Sequence, residues 1–563
     1  MSITVSILRM RSKLERIRRL LGRYRVDRRL PPPVTDLLRT RTRLQVARYV
    51  DGLRARSLPV LGSSPVPDDV GRLGGRRLAT AGPLTASVSE LAVDTADRVE
   101  RALIAGGVEA FLTGRTGDRL MLGVRLVDRS STSEVVAAAL TDVGWYVQWF
   151  DRSRSGVVAC ERAADDRRVR VARTWRVFRA YQWGERVIGP EAAVEITFWE
   201  VGASREFELV GTRSHERFHP DSADTTETVD GRTFRGKAAF PVSDALESFA
   251  EPVDVVFTWV DGSDPSWLAS FRRAAEEQGR ELDDLALDPA RYRSRDELRY
   301  ALRSVWAYCG WVRRIYVVTA GQRPAWLTHD SDALGLTIVD HAEILPADAL
   351  PTFNSHAIEA SLHHIDGLTE HFIYFNDDVF IARPQRPERF FTPNGLARVF
   401  QGGARVHGFE DDSTQSVDTA ALRGRELLRR RFGRVASHKP LHVAFPLRRS
   451  TLFEIDEEFP DEIHRTRASR FRAPSDLSVA ASFGQHYGLA RGQSVLGEIA
   501  SEYVHVESGR LGWHLDRIRL ADDLDAFCIN ETRDGHGVSE REAMIEQLFR
   551  DCFPVAAPWE RDG

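Results

Sequence analysis

Cysteine is scarce in this sequence. Cys160, Cys309, Cys528 and Cys552 are scattered, with no CxxC pair and no His/Cys spacing suited to a structural metal. That argues against a disulfide framework or a zinc-knuckle core and fits a chain kept reduced in a cytosol. Long apolar runs are lacking too. No stretch approaches the ~20 residues of a membrane span, and the start has neither the apolar region nor the cleavage site of a signal peptide. The expected location is the cytoplasm, where an approach to the inner face of the membrane stays open. Nor is there a surplus of positive charge. Lys and Arg number 78 against 82 Asp and Glu, a net charge of −4, so no nucleic-acid partner is expected.

What is present is the composition of a soluble globular enzyme, 42% hydrophobic and 28% charged, over 563 residues. That length exceeds one hydrophobic core. Arginine far outnumbers lysine, which suits planar recognition of phosphate and carboxylate. Near the start, Ile7, Met10, Leu14, Ile17, Leu21 and Tyr24 recur at steps of three and four, with Arg9, Arg11, Lys13, Arg16, Arg18, Arg19 and Arg23 between them. This pattern reads as a basic amphipathic helix, ended by Pro31, Pro32 and Pro33. Two fates are open to it. It can lie on an anionic leaflet, or pack its stripe on the body or a second subunit of a homo-oligomer, as most such helices do.

A loop rich in Gly, Pro and Ser runs from Leu58 to Pro83, and an α/β pattern follows. Ser133 to Leu140 reads as helix; Tyr146 to Phe150, Val169 to Ala172 and Ala193 to Trp199 read as strands. The polar stretch from His215 to Glu251 reads as a linker or a covering loop. Beyond it, strands are expected at Val253 to Val260, Arg314 to Thr319, Leu336 to Asp340 and Phe372 to Phe375, with helices at Asp296 to Tyr308 and Ala357 to Ile365. That alternation predicts an α/β fold, a mainly parallel sheet with helices on both faces, beside a smaller N-terminal α/β unit. The chain thus divides into a basic helix (1–33), an accessory unit (84–211), a linker (212–251) and a catalytic domain (252–556).

Ligands of such sheets bind beyond the carboxyl ends of the strands, where two acidic clusters fall. Asp261 and Asp264 follow the strand containing Asp254; they can hold a ligand, or simply shape an Asp-Gly-Ser-Asp-Pro turn. Asn376-Asp377-Asp378 follows the apolar strand 372–375. Adjacent like charges are costly without a cation, and Mg²⁺ takes one or two carboxylates plus phosphate oxygens. Arg295, Arg299 and Arg303 step by four along one helical face and follow Arg293; the face can cradle a diphosphate or be a solvated surface. His438 and Arg472 are candidates for a general base and a charge stabiliser. The oxygen-bearing run Asn530-Glu531-Thr532-Arg533-Asp534 can complete a metal shell or cap a helix over Ser539 to Phe549.

Taken together, these segments resemble the Stealth family of sugar-1-phosphate transferases, which includes bacterial capsular and exopolysaccharide phosphotransferases and the catalytic subunit of the lysosomal-enzyme N-acetylglucosamine-1-phosphotransferase. Four blocks occur in order: Asp254-Val-Val-Phe-Thr-Trp-Val-Asp-Gly-Ser-Asp264; Arg295 to Ser304 through Tyr316 to Gln322 and Tyr374-Phe-Asn-Asp-Asp378; His438-Lys-Pro through Phe459-Pro460 to Arg472 and Asp476; and Asn530-Glu531 through Asp534 to Phe553-Pro554. The resemblance covers Val253 to Pro554. It implies Asp378, His438 and Arg472 at the reaction centre. Asp377, Asp378 and Asp534 would ligate Mg²⁺ or Mn²⁺, and Asp254, Asp261, Asp264, Arg295, Arg299, Arg303 and Asn376 would bind the donor. It further implies a nucleotide-sugar donor, a UDP-sugar first, a glycan or polysaccharide acceptor, and release of nucleoside monophosphate.

Overall fold

The computed structural model describes residues 70–561, apart from 74–75, 152–153, 185, 202–205, 210–216, 219–221, 243–244, 280–291, 293, 407–415, 522 and 532–537. The basic helix expected over 1–33 lies outside the described residues. The described residues form one compact unit.

Its first lobe is a mixed sheet whose central strands (Ala110–Thr116, Arg119–Arg125, Val194–Val201, Thr174–Arg179 and Trp145–Asp151) carry the helix Val88–Ala105. That helix opens with a capping box, Ser87 and Glu90 satisfying each other's backbone N–H groups. Two expectations fail in this lobe. Val169–Ala172 is the end of a short helix, Arg167–Val171, because the Asp166 carboxylate caps it and Val169 alone faces the core. The supposed linker contains a β-hairpin, Asp224–Val229 with Arg232–Lys237. Its turn is Asp230-Gly231, both at positive φ, the Asp-Gly signature of a tight hairpin.

The second lobe contains strands β1 (Val253–Thr258), β2 (Arg314–Thr319), β3 (Leu336–Asp340), β4 (His371–Asn376), β5 (Val379–Ile381), β6 (Phe445–Arg448), β7 (Ser501–His505) and β8 (Ala526–Asn530). The main sheet runs β3-β2-β1-β4-β6, its first four strands parallel and β6 antiparallel at the edge. A small sheet, β5-β8-β7, adjoins it. Helices α1 (Pro265–Glu277), α2 (Glu297–Tyr308), α3 (Ser355–Glu359) and α4 (Val538–Cys552) belong to the same lobe. The fold is an α/β sheet with helices, as the alternation predicts; β1 and β4 are buried along almost their whole length, as parallel strands covered on both faces are. The lobes share one core, in which Leu84, Val88 and Leu91 join Val253, Leu302 and Phe375.

Candidate active site

At the carboxyl end of β4 the chain turns through Asn376-Asp377-Asp378 into β5, passing from the main sheet to the small one. The small sheet fixes that turn. Ile529 N–H donates to the Asp378 carbonyl at 3.1 Å, and the register Val379 opposite Cys528 brings β8 alongside the carboxylate. Asn530 Nδ2 and the Cys528 thiol donate to Asp378 Oδ2 at 3.1 and 3.3 Å. The other oxygen, Oδ1, is buried without a hydrogen-bond partner and faces His442 Nε2 at 3.4 Å.

His442 gets there by register. β6 runs antiparallel to β4 with Phe445 opposite Tyr374, so the residues just before Phe445 lie beyond β4's carboxyl end. A hydrogen-bond chain then orients the imidazole. Tyr374 O–H donates to Asn376 Oδ1 at 2.7 Å and pairs with Thr258 Oγ1 at 3.0 Å, while Asn376 Nδ2 lies 3.2 Å from His442 Nε2. With its oxygen turned to the phenol, the amide offers only N–H groups to the ring, so Nε2 of the neutral imidazole is the acceptor. Burial lowers the ring's affinity for a proton, but Asp378 outweighs it and holds His442 above the ordinary histidine range. Conversely, burial pushes the Asp378 carboxyl up, and His442, Asn530 and Cys528 together bring it below the usual range. Asp377 is driven well up by burial, by Asp378 and by Glu297.

Arg472 is delivered by a pinned loop. Asn354 Nδ2 donates to Ser469 O (3.0 Å) and Asp476 Oδ2 (2.8 Å), and Ala473 N–H also donates to Asp476 (2.8 Å). Phe471 stacks on Phe353 at 5.3 Å. Arg472 Nη2 donates to Ser355 Oγ at 2.7 Å, and its charge opposes that of protonated His442. Asp378 and Arg472 are therefore brought together with an imidazole, but the imidazole is His442. His438 sits in the strand His438–Pro440 with its ring on Ser437 Oγ at 2.9 Å, which corrects the expectation that it meets Asp378.

The other candidates for donor binding have partners of their own within the chain. Asp254 is the second residue of β1, at the amino end of the sheet, and is fully buried; its carboxylate is taken by Arg313 (2.9 and 2.6 Å) and Thr369 N–H (2.9 Å). Asp261 accepts from Ser263 N–H and O–H (2.9 and 2.6 Å), and Asp264 caps α1 by accepting from Ser266 and Trp267 N–H (2.8 and 2.9 Å), which is the turn-shaping reading. The arginine face of α2 turns to acidic residues of the C-terminal segment: Arg295 to Glu531, Arg299 to Glu560, and Arg303 to Glu560 through two bonds of 2.6 and 2.7 Å. Arg293 and Asp534 lie outside the described residues. Among the described residues, the metal-ligand types that converge at the turn are Asp378, His442 and Cys528, whose ligand atoms lie within 4.8 Å of one another; Asp377 is adjacent in the chain but outside that group.

Family models described as Stealth protein conserved regions 1, 2 and 3 match residues 251–279, 291–399 and 441–489. The third begins at Leu441, so it contains His442 and leaves His438 outside. An exopolysaccharide phosphotransferase of Streptomyces coelicolor, SCO6023, is 37% identical over 512 residues, 86% of this chain and 85% of its own. The exopolysaccharide phosphotransferase CpsY of Mycobacterium tuberculosis is 34% identical over 454 residues, 79% of this chain and 84% of its own. A solved galactosyltransferase, LgtC, aligns with 54% of this chain and 98% of its own at 14% identity and a TM-score of 0.27, a level on which nothing further rests. The chain belongs to the Stealth family of bacterial exopolysaccharide phosphotransferases and is a phosphotransferase enzyme of exopolysaccharide synthesis.

Proposed function

We propose that this enzyme transfers a sugar-1-phosphate, of a hexose or N-acetylhexosamine, from a nucleotide-sugar to a hydroxyl of a glycan, releasing a nucleoside monophosphate. The observation that carries the reading is the acceptor nitrogen of His442, held between Asn376 and Asp378 and within the electrostatic reach of Arg472, where ligands of parallel sheets bind. UDP-sugars are the donors to try first.

The acidic turn fits a hard divalent cation, Mg²⁺ or Mn²⁺. Asp377 and Asp378 are adjacent, Glu297 adds a third negative charge, and Asp378 Oδ1 is buried with no donor. Asp377 and Asp378 would hold it, with Asp534 the further candidate, and when bound it would neutralise charge on the donor diphosphate.

The chain's own groups account for the proton and the charge. His442 Nε2 takes the proton of the acceptor hydroxyl as that oxygen bonds to the sugar-bearing phosphorus. The bond from this phosphorus to the bridging oxygen breaks, and the nucleoside monophosphate leaves with that oxygen. The imidazolium then faces Asp378 Oδ1, the carboxylate that already raises its pKa. Arg472, steadied by Ser355, faces the charge on the phosphoryl oxygens. Such catalysis is positioning plus electrostatics.

Donor carrying ¹⁸O at the sugar C1 oxygen tests the reading. The label is expected in a product diester, with the anomeric configuration retained and nucleoside monophosphate released. Label leaving on nucleoside diphosphate would mean cleavage at the sugar carbon and would replace this reading with glycosyl transfer.

A further inference from the structure

We infer that Tyr503 forms the floor of the acceptor subsite, a platform on which a pyranose ring of the glycan stacks beside His442. The inference rests on the reading of His442 as the base toward an acceptor hydroxyl.

On β7, Glu502 and Val504 are buried while Tyr503 and His505 are exposed, so the strand presents one face to solvent. β7 is the edge strand of the small sheet, and Tyr503 lies directly opposite Cys528 on β8, one strand away from Asp378. The residue is 41% exposed, yet its ring is held edge-to-face by two imidazoles: His442 at 5.9 Å and 82°, and His505 at 4.9 Å and 75°. A large aromatic ring at a reaction centre, open to water but fixed in orientation, has the makings of a binding surface.

The neighbours of His442 say which substrate meets it. Asn376 and Asp378 flank Nε2, and its other ring neighbour, Phe445, is buried. Tyr503 is thus the exposed wall beside the base. A hydroxyl that gives its proton to Nε2 must come within about 2.6–3.2 Å of it, which brings the sugar bearing that hydroxyl against the same wall. Pyranose rings carry one face rich in C–H groups, weakly positive and poorly hydrated, which complements the negative face of a phenol ring. The exposed imidazole of His505 adjoins the same ring and can meet the sugar's hydroxyls. A few polar groups around an aromatic lining is the usual build of a sugar-sized site.

The test is binding, read separately from turnover. Maltotriose, cellotriose and chitotriose at millimolar concentration are offered to the full chain, with saturation-transfer NMR reporting which sugar protons touch protein. At least one is expected to bind through ring C–H protons. Tyr503→Ala should weaken it by about three- to tenfold, Tyr503→Phe, which keeps the ring, should retain it, and UDP-glucose affinity should stay unchanged in both. The inference is overturned if Tyr503→Ala binds the sugar as wild type does, if it loses UDP-glucose affinity instead, or if no trisaccharide binds wild type. Failure of the chemical reading looks different: label from ¹⁸O-donor would leave on diphosphate while Tyr503-dependent sugar binding persisted.

Discussion

At the scale of single residues, two histidines four apart have opposite surroundings. His442 Nε2 is an oriented acceptor beside a carboxylate, whereas His438 is held by the neighbouring serine hydroxyl. Removing a general base typically costs about 10²–10⁴-fold in rate. His442→Ala should therefore lower kcat by that order, and His438→Ala should stay within a few-fold; single-turnover kinetics of the two variants reverse the assignment if His438 is the one that matters. Arg472→Ala removes stabilisation that grows toward the transition state, so kcat should fall more than substrate affinity. The Asn-Asp-Asp turn was legible in the sequence because an apolar strand pointed at it. The choice between histidines was not. Both sit in one short segment, and only the antiparallel register of Phe445 against Tyr374 decides which one passes the end of β4. Cys528 and Tyr503 gave no signal either, since both take their meaning from a small sheet whose strands are distant in sequence.

Among the elements, α2 shows how a correct local reading can point to the wrong partner. The step-of-four arginines do share a face, but Arg303 and Arg299 converge on Glu560, whose side chain is fully buried. Burial raises the Glu560 carboxyl, and Arg303, the Ala557 N–H and Arg299 more than reverse that. Arg303 also donates to Phe553 O at 2.8 Å. The helix is thus strapped to the C-terminal segment by a network that no spacing rule could reveal, because its members are some 257 positions apart. Breaking one partner of a buried pair strands the other charge and typically costs about 3–5 kcal/mol. Glu560→Ala should lower stability by that order in urea titration with the native circular-dichroism spectrum retained. An effect below about 1 kcal/mol would mean that water reaches the arginines and the strap is superficial. The acidic residues at 254, 261 and 264 teach the same lesson: carboxylates near a strand are as useful for anchoring backbone and arginine as for binding ligand.

The whole molecule carries charges whose burial ties its stability to pH. His341 and His363 are buried and neutral, each pushed down to about 4 by desolvation. Near His363 the Asp456 carboxylate lies 3.1 Å from Nε2, but Arg467 takes the same oxygen at 2.6 Å, so little of its charge is left to favour an imidazolium. This explains why His363, His364 and Asp456 can form a close triad of metal-ligand types around an arginine. The sign follows from proton counting. Between the unfolded histidine pKa near ~6.5 and the folded value, the unfolded chain binds more protons, so stability falls as pH falls through that window. Carboxylates held below their usual range, such as Asp456 and Glu560, add their loss only at lower pH, while Asp118 and Glu297, raised by burial, work in the opposite direction. The net curve mixes all of these, but a single replacement isolates one histidine and leaves the rest in place. His341 Nε2 is buried without a partner, so His341→Phe removes an unsatisfied atom together with the titration. Measured by urea unfolding at about pH 8 and about pH 5, wild type should lose roughly 2 kcal/mol more than His341→Phe across that interval, with the variant's slope flatter. Equal slopes would mean that His341 takes up its proton inside the folded molecule, and that the core around it admits water.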